Sequence, residues 1–330
     1  MLVYGIFCFL FCFVVAFLIS PLILYASKKL KAGQNILHYV DSHKSKQGTP
    51  TMCGLIFIFG TFAGSIFAFN QSYTLALMTV VVMLAFGVLG FLDDFIKIKS
   101  GENEGLKPYQ KIIGQLGISL IISFFVYNFV GTSIYIPFSH TTVDIGFFII
   151  PLVIITFIAF VNSVNLIDGL DGLCGGVSFA YLLSFVAIMT LGLPALTGNW
   201  LVENQNLVYI SACMLGAILA FLIYNGFPAK VFMGDTGSLA LGGFLSAIAV
   251  FSGLELYILI LGIPYVITSL SDIIQVFYYK RTKKRIFLMA PLHHHFEKKG
   301  FHENKVVIVY IIITLLIGLS TYALTSVLGS

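Results

Sequence analysis

The chain has 330 residues, 58% of them hydrophobic and only 10% charged, and its formal net charge is +4. Soluble domains carry about a quarter of their residues as charges, so this composition excludes a water-soluble fold and places the chain in a bilayer. Ten apolar runs follow one another at 2–25, 55–69, 74–92, 112–130, 145–161, 177–193, 207–223, 239–251, 256–276 and 306–328. Several fall a little short of the roughly 20 residues that cross a hydrocarbon core. The first run lacks a basic start and is followed by Lys28 and Lys29, so it reads as a retained helix and not a cleaved signal peptide.

With ten spans, all 18 Lys and Arg fall on one side, in the loops around Lys28 to Lys46, Lys97 to Lys111, Lys230 and Lys280 to Lys305. The positive-inside rule makes that side cytoplasmic. The opposite loops hold only Asp144, Glu203 and Glu255 as charges, with Trp200 as an interface anchor. The expected fold is an all-α integral membrane protein: a bundle of ten transmembrane helices with both termini extracytoplasmic. Residues 1–330 are expected to form a single polytopic membrane domain with its active site on the cytoplasmic face. The cysteines Cys8, Cys12, Cys53, Cys174 and Cys213 show neither metal spacing nor a disulfide framework and read as small hydrophobes.

The first cytoplasmic loop ends in KQGTPTMCG, a turn in which Thr49, Thr51 and exposed amides lie beside Lys46. It serves equally as a phosphate cradle or as an ordinary turn into a helix. Gly60 and Gly64 form a small-xxx-small pair that helix packing explains. The third run ends in GFLDDFIKIK, where Asp93 and Asp94 lie four and three residues before Lys97, on one helical face. Adjacent carboxylates at a membrane boundary are costly without a partner. A solvated pair bridged to Lys97 satisfies that need, and so does a cation site or a base of shifted pKa.

In NSVNLIDGLDGL, the side chains of Asn162, Asn165, Asp168 and Asp171 recur at steps of three. On a helix that stripe drifts by only about 60° per step, so neighbours can share a site, although Gly169 and Gly172 argue for a loop in its second half. A polar loop closing a helix is the alternative. YNGFPAKVFMGDTGSL brings Asn225, Pro228 and Asp235, the last as an N-cap, a metal ligand or both. In PLHHHFEKKG no single helical face presents His293, His294 and His295 together; metal ligation and donation to phosphate or ribose are both open. The basic stretch Arg281 to Arg285 reads as an anchor on anionic lipid.

All these acids lie at cytoplasmic helix ends among lysines. Carboxylates holding Mg²⁺ while lysines clamp phosphates is the make-up of a phosphoryl-transfer site. Its position suggests one soluble phosphorylated substrate and one lipidic one. A proton-coupled transporter would also carry intramembrane acids, but nearer the midplane and in repeated halves.

In their order, KQGTPTMCG, FLDDFIK, NSVNLIDGLDGL, YNGFPAKVFMGDTGSL and PLHHHFEKKG resemble the signature blocks of the bacterial phospho-N-acetylmuramoyl-pentapeptide transferase family, in the polyprenyl-phosphate N-acetylhexosamine-1-phosphate transferase superfamily. The resemblance runs from about Lys46 to Gly300, and PLHHHFE points to the muramoyl branch rather than to siblings that use UDP-N-acetylglucosamine. It implies transfer from UDP-N-acetylmuramoyl-pentapeptide to undecaprenyl phosphate, giving lipid I and UMP with Mg²⁺. It also implies a multi-pass protein of the bacterial inner membrane, commonly a homodimer, with no nucleic-acid partner.

By the same resemblance the catalytic set is Asp93 as base for the lipid phosphate, Asp94, Asp235 and His293. Asp235 and Asp168 are the implied metal ligands. Lys46, Thr51, Lys97 and Lys111 match phosphate contacts, while Asn162, Asn165, Asp168, Asp171, Asn225, Phe232, Gln275, His294 and His295 complete the substrate-binding set. Two departures stand out: Cys53 replaces a usual Gly, and Glu104 precedes GL where Lys is common.

Overall fold

The computed structural model describes residues 2–30, 46, 48–69, 73–101, 105–139, 141–191 and 200–328, without the side chains of residues 200 and 201. Glu104 and the Trp200 side chain, singled out above, lie outside that description, as do Lys31 and Lys44 of the first basic loop. Twelve α-helices account for most of the described residues: α1 Leu2–Lys29, α2 Leu55–Ala68, α3 Thr74–Ser100, α4 Pro108–Phe125, α5 Ile149–Ile167, α6 Leu173–Met189, α7 Trp200–Asn225, α8 Gly234–Phe251, α9 Tyr257–Leu261, α10 Ile263–Thr282, α11 Leu292–Lys298 and α12 Glu303–Leu328. Only a helix satisfies every backbone group of a single segment inside hydrocarbon, which is why apolar runs of this length coil.

Among the described residues, seven helical stretches are long and apolar enough to cross a membrane, those built on α1, α3, α4, α5, α7, α8 and α12. The apolar runs assigned to α2 and α6 form helices of 14 and 17 residues. The ninth run is broken at Gly262 into α9 and α10, with Pro264 in the first turn of α10. A feature the helix-only expectation lacks is a hairpin between α4 and α5: strands β1 Ser133–Ile136 and β2 Thr141–Asp144 pair antiparallel, Ser133 opposite Asp144. The Tyr135 amide ties it to the Gly253 carbonyl at 3.0 Å.

Helices α3 and α8 pack along each other, as do α1 and α7. Small residues set these approaches. A β-carbon at Gly60 would meet Ala16 and Ala217, and one at Gly64 would meet the sulfurs of Cys12 and Cys213, so this glycine pair packs α2 between α1 and α7. All five cysteines are buried free thiols.

The chain alternates between two ends. At one, Glu203 near the start of α7 accepts the Leu75 amide of α3 at 3.1 Å, Asn204 donates to the Met189 carbonyl of α6, and Tyr257 meets Thr325 of α12. Glu203 and Glu255, expected as loop charges at this end, are in fact 9% and 5% exposed. The other end gathers the last turns of α3, α5 and α7 with the first turns of α4, α6, α8 and α12, and there the polar side chains converge.

Candidate active site

The centre is the crossing of α3 with the start of α8. Gly90 abuts the Asp235 backbone, where a β-carbon would overlap the carbonyl, so two helices touch three residues before Asp93. The turn into α8 needs Gly234, whose φ of +69° is left-handed and whose absent β-carbon would stand 2.5 Å from Asp94 Oδ2 and 2.8 Å from Thr51 Oγ1. Asp94 then caps α8 from another helix: it accepts the amides of Asp235 at 3.2 Å and Thr236 at 2.8 Å, and the Thr236 hydroxyl at 2.7 Å. That anchoring fixes Asp235.

Asp235 Oδ2 receives the ammonium groups of Lys97 and Lys111, each at 2.8 Å, and Oδ1 accepts the Asn165 carboxamide at 2.7 Å. Asn165 also donates to Ser238 Oγ at 2.7 Å. Asp93 Oδ1 accepts the Leu106 amide at 2.9 Å, while Oδ2 pairs with Lys97 at 2.6 Å. One oxygen from each of Asp93, Asp94 and Asp235 falls within 4.8 Å of the others, a grouping able to hold a metal ion.

Asp168 closes α5, half-buried beside this cluster. Burial and the charges of Asp235, Asp94 and Asp171 push its carboxyl up to about 8. Asp168 is not among the three whose oxygens group within 4.8 Å. Its link to Asp235 is electrostatic in this structure.

The step-of-three stripe does not stay on one face, because the helix stops at Ile167. Asn162, deeper along α5, pairs reciprocally with Gln115 of α4 at 2.6 and 3.2 Å. Asp171 turns to the far side, accepting Lys46 at 2.7 Å and the Ala229 amide at 2.8 Å. The same ammonium contacts Glu303 at 2.6 and 2.8 Å, and Glu303 accepts the Asp171 amide at 2.7 Å. Asn225 holds the turn from below, accepting the Gly172 amide and donating to the Val231 carbonyl.

The loop at Thr51 and the strand-like stretch at Phe232 are stitched together: Phe232 donates to the Pro50 carbonyl, and the Cys53 amide donates back to Phe232. The Cys53 side chain is fully buried. Helix α11 starts after Pro291 and brings two of the three histidines to the turn, since a β-carbon at Gly169 would meet Nε2 of both His293 and His294. His294 Nδ1 is fixed on Glu297 at 2.6 Å. His295 points elsewhere and accepts the Leu288 amide at 3.1 Å. Gln275 accepts the amides of Ile286 and Phe287, bracing the basic loop. A cavity of about 460 Å³ opens beside α11, lined in part by Phe227, His294, Lys298, His302 and Glu303.

Asp93, Asp94, Asp235, Lys97, Lys111 and Asn165 thus meet directly, with Asp168 alongside. Lys46 and Asp171 form a neighbouring cluster, and His293 and His294 reach it through Gly169. Asn162, Gln275 and His295 are engaged in internal bonds. Gln115 and Glu303 carry no sign in the sequence, whereas Thr236 and Ser238 adjoin Asp235 in GDTGS, where residues of this kind brace a first helical turn.

Fold and site together define a helical membrane protein with a buried centre of carboxylates and ammonium groups at one end of its helices. Residues 75–253 match the family described as Glycosyl transferase family 4. The phospho-N-acetylmuramoyl-pentapeptide-transferase of Clostridium novyi (strain NT) is 43% identical over 301 residues, 90% of this chain and 90% of its own length. That of Clostridium botulinum (strain Eklund 17B / Type B) is 43% identical over 300 residues, covering 91% and 90%. That of Clostridium perfringens (strain 13 / Type A) is 41% identical over 297 residues, covering 90% of each. The chain belongs to glycosyl transferase family 4 and, within it, to the phospho-N-acetylmuramoyl-pentapeptide transferases.

Proposed function

We propose that this protein transfers phospho-N-acetylmuramoyl-pentapeptide from its UDP donor to undecaprenyl phosphate, giving lipid I and UMP for peptidoglycan synthesis. The observation that carries this reading is the meeting of Asp93, Asp94 and Asp235 with Lys97 and Lys111 around one small volume. The site lies on the cytoplasmic face of a bacterial inner membrane, in one polytopic domain of ten spans with both termini outside, and the enzyme works as a homodimer.

The residues fit a hard divalent cation. Among the described residues Asp93, Asp94 and Asp235 pair with Lys97 and Lys111, and Asp168 lies alongside with its pKa raised by burial and then by the charges of Asp235, Asp94 and Asp171. Asp235 and Asp168 would hold Mg²⁺ with Asp93 beside them. When bound, it would neutralise the donor diphosphate and stabilise the departing UMP.

The chain's own groups do the rest. Lys97 and Lys111 turn from Asp235 to the diphosphate, and Lys46 grips it from the neighbouring cluster. With Lys97 drawn away, Asp93 Oδ2 takes the remaining proton of the lipid phosphate. That phosphate oxygen forms a bond to the donor's β-phosphorus. The bond from β-phosphorus to the bridging oxygen breaks, and its electron pair leaves on UMP. His293 and His294 present the Nε2 edge toward the turn that faces the nucleotide and sugar.

The test is UMP release with two donors. UDP-N-acetylmuramoyl-pentapeptide with undecaprenyl phosphate is expected to give it and UDP-N-acetylglucosamine not. The reverse would assign the sibling reaction, and flux across proteoliposomes without UMP would assign transport.

A further inference from the structure

We propose that Glu303 is the residue that positions Lys46 for the donor's diphosphate, an assignment that rests on the transferase reading above. Glu303 is the first residue of α12, where an acid is ordinarily explained by the helix dipole. Its oxygens are used otherwise. Both contact Lys46 Nζ, at 2.6 and 2.8 Å, and Oε1 also accepts the amide of Asp171 at 2.7 Å. One carboxylate therefore joins three segments that are remote in sequence: the loop before α2, the turn after α5 and the start of α12.

The stoichiometry of the ammonium gives this arrangement its use. A lysine has three N–H donors on a flexible four-carbon stem, and free rotation of that stem opposes binding. Asp171 accepts one contact and the two Glu303 oxygens accept two more, so the ammonium is held on anions and the stem is fixed before the donor arrives. The Lys46 side chain is only 13% exposed, as a pinned group would be. Glu303 also borders the 460 Å³ cavity together with His294 and Lys298, so it stands between the fixed ammonium and open space. Asp171 cannot do this alone, because its second oxygen is committed to the Ala229 amide.

Glu303→Gln separates positioning from scaffolding. Its carbonyl oxygen still accepts the Asp171 amide, while the charged contact with Lys46 is lost. In UMP release by the full-length protein, at saturating undecaprenyl phosphate, it should raise the donor KM about tenfold and change kcat by less than about threefold. Glu303→Asp keeps the charge one methylene further back. It should raise KM by about threefold, and it reads the same split should the Gln variant not fold. In a Lys46→Met background, Glu303→Gln should alter KM by less than about twofold. Unchanged KM in both Glu303 variants, or the full increase with Lys46 already removed, overturns the assignment. So does a lowered Tm with KM untouched, which would mark a purely structural clasp. Absence of UMP release by the unsubstituted protein would instead strike the transferase reading.

Discussion

Gly90 of α3 lies against the backbone of Asp235, the second residue of α8, so closely that any side chain at position 90 would overlap the Asp235 carbonyl. That contact sets how near Asp93 and Asp94 come to Asp235. Gly90→Ala is therefore expected to cut UMP release at least about tenfold, since displacement of reacting groups by an ångström is enough to do so. Gly87→Ala is the control: one turn earlier, its β-carbon would meet Ala240 at an ordinary 3.4 Å, and activity should stay within about twofold.

Asp93→Asn is expected to lower kcat far more than it weakens nucleotide binding. Its Oδ1 contact with the Leu106 amide can persist through the Asn carbonyl, so the local fold is kept and the base is removed. Equal losses of turnover and of donor affinity would contradict a role confined to the proton.

Asp168 is expected to make cation affinity depend on pH. Its carboxyl is raised from the ordinary 3.8 to about 8, so it holds a proton at neutral pH that a bound cation must displace. Affinity for Mg²⁺, followed as a rise in Tm with added cation, should climb as pH goes from 6 to 8 and level off above. Asp168→Asn should flatten that dependence. A slope that survives the substitution would assign it to another group.

Glu255 gives a pH effect at the opposite end of the molecule. It is 5% exposed, its Oε2 has no hydrogen-bond partner among the described residues, and burial pushes its carboxyl from 4.5 up to about 8. A carboxyl whose folded pKa is raised contributes stability that is fully present below 4.5 and is lost as pH rises through 8. Glu255→Gln should match the unsubstituted protein near pH 5 and exceed it by several degrees in Tm at pH 9. Parallel Tm curves across that range would show that Glu255 is not the source.

Much of this was legible in the chain because local chemistry and tertiary role coincide. Asp93 and Asp94 end an apolar run, Asp235 opens one, and a buried carboxylate at a helix end demands cationic partners wherever the chain leads. The Gly60–Gly64 pair announced close packing for the same reason. Other features had no local sign. The partner of Asn162 is Gln115, 47 positions earlier inside a run that reads simply as apolar. Glu303 sits where an acid has a sufficient local explanation, so nothing in its neighbours points to Lys46 or Asp171. Gly169 and Gly172 signal a loop in the second half of the stripe from Asn162 to Asp171, but not that the end of the helix at Ile167 sends its last member to a different cluster. The break at Gly262 was concealed by hydrophobic residues on both sides, and the hairpin by its four-residue strands.

The central claim is that acids from separate turns act on one cation and one diphosphate, with Asp235 at the focus. The most direct measurement is Mg²⁺-dependent UMP release from UDP-N-acetylmuramoyl-pentapeptide and undecaprenyl phosphate by folded Asp235→Ala beside the unsubstituted protein. Loss of release at every Mg²⁺ concentration, with the unsubstituted protein active, is the expected result. Near-normal release with an unaltered Mg²⁺ requirement would contradict it.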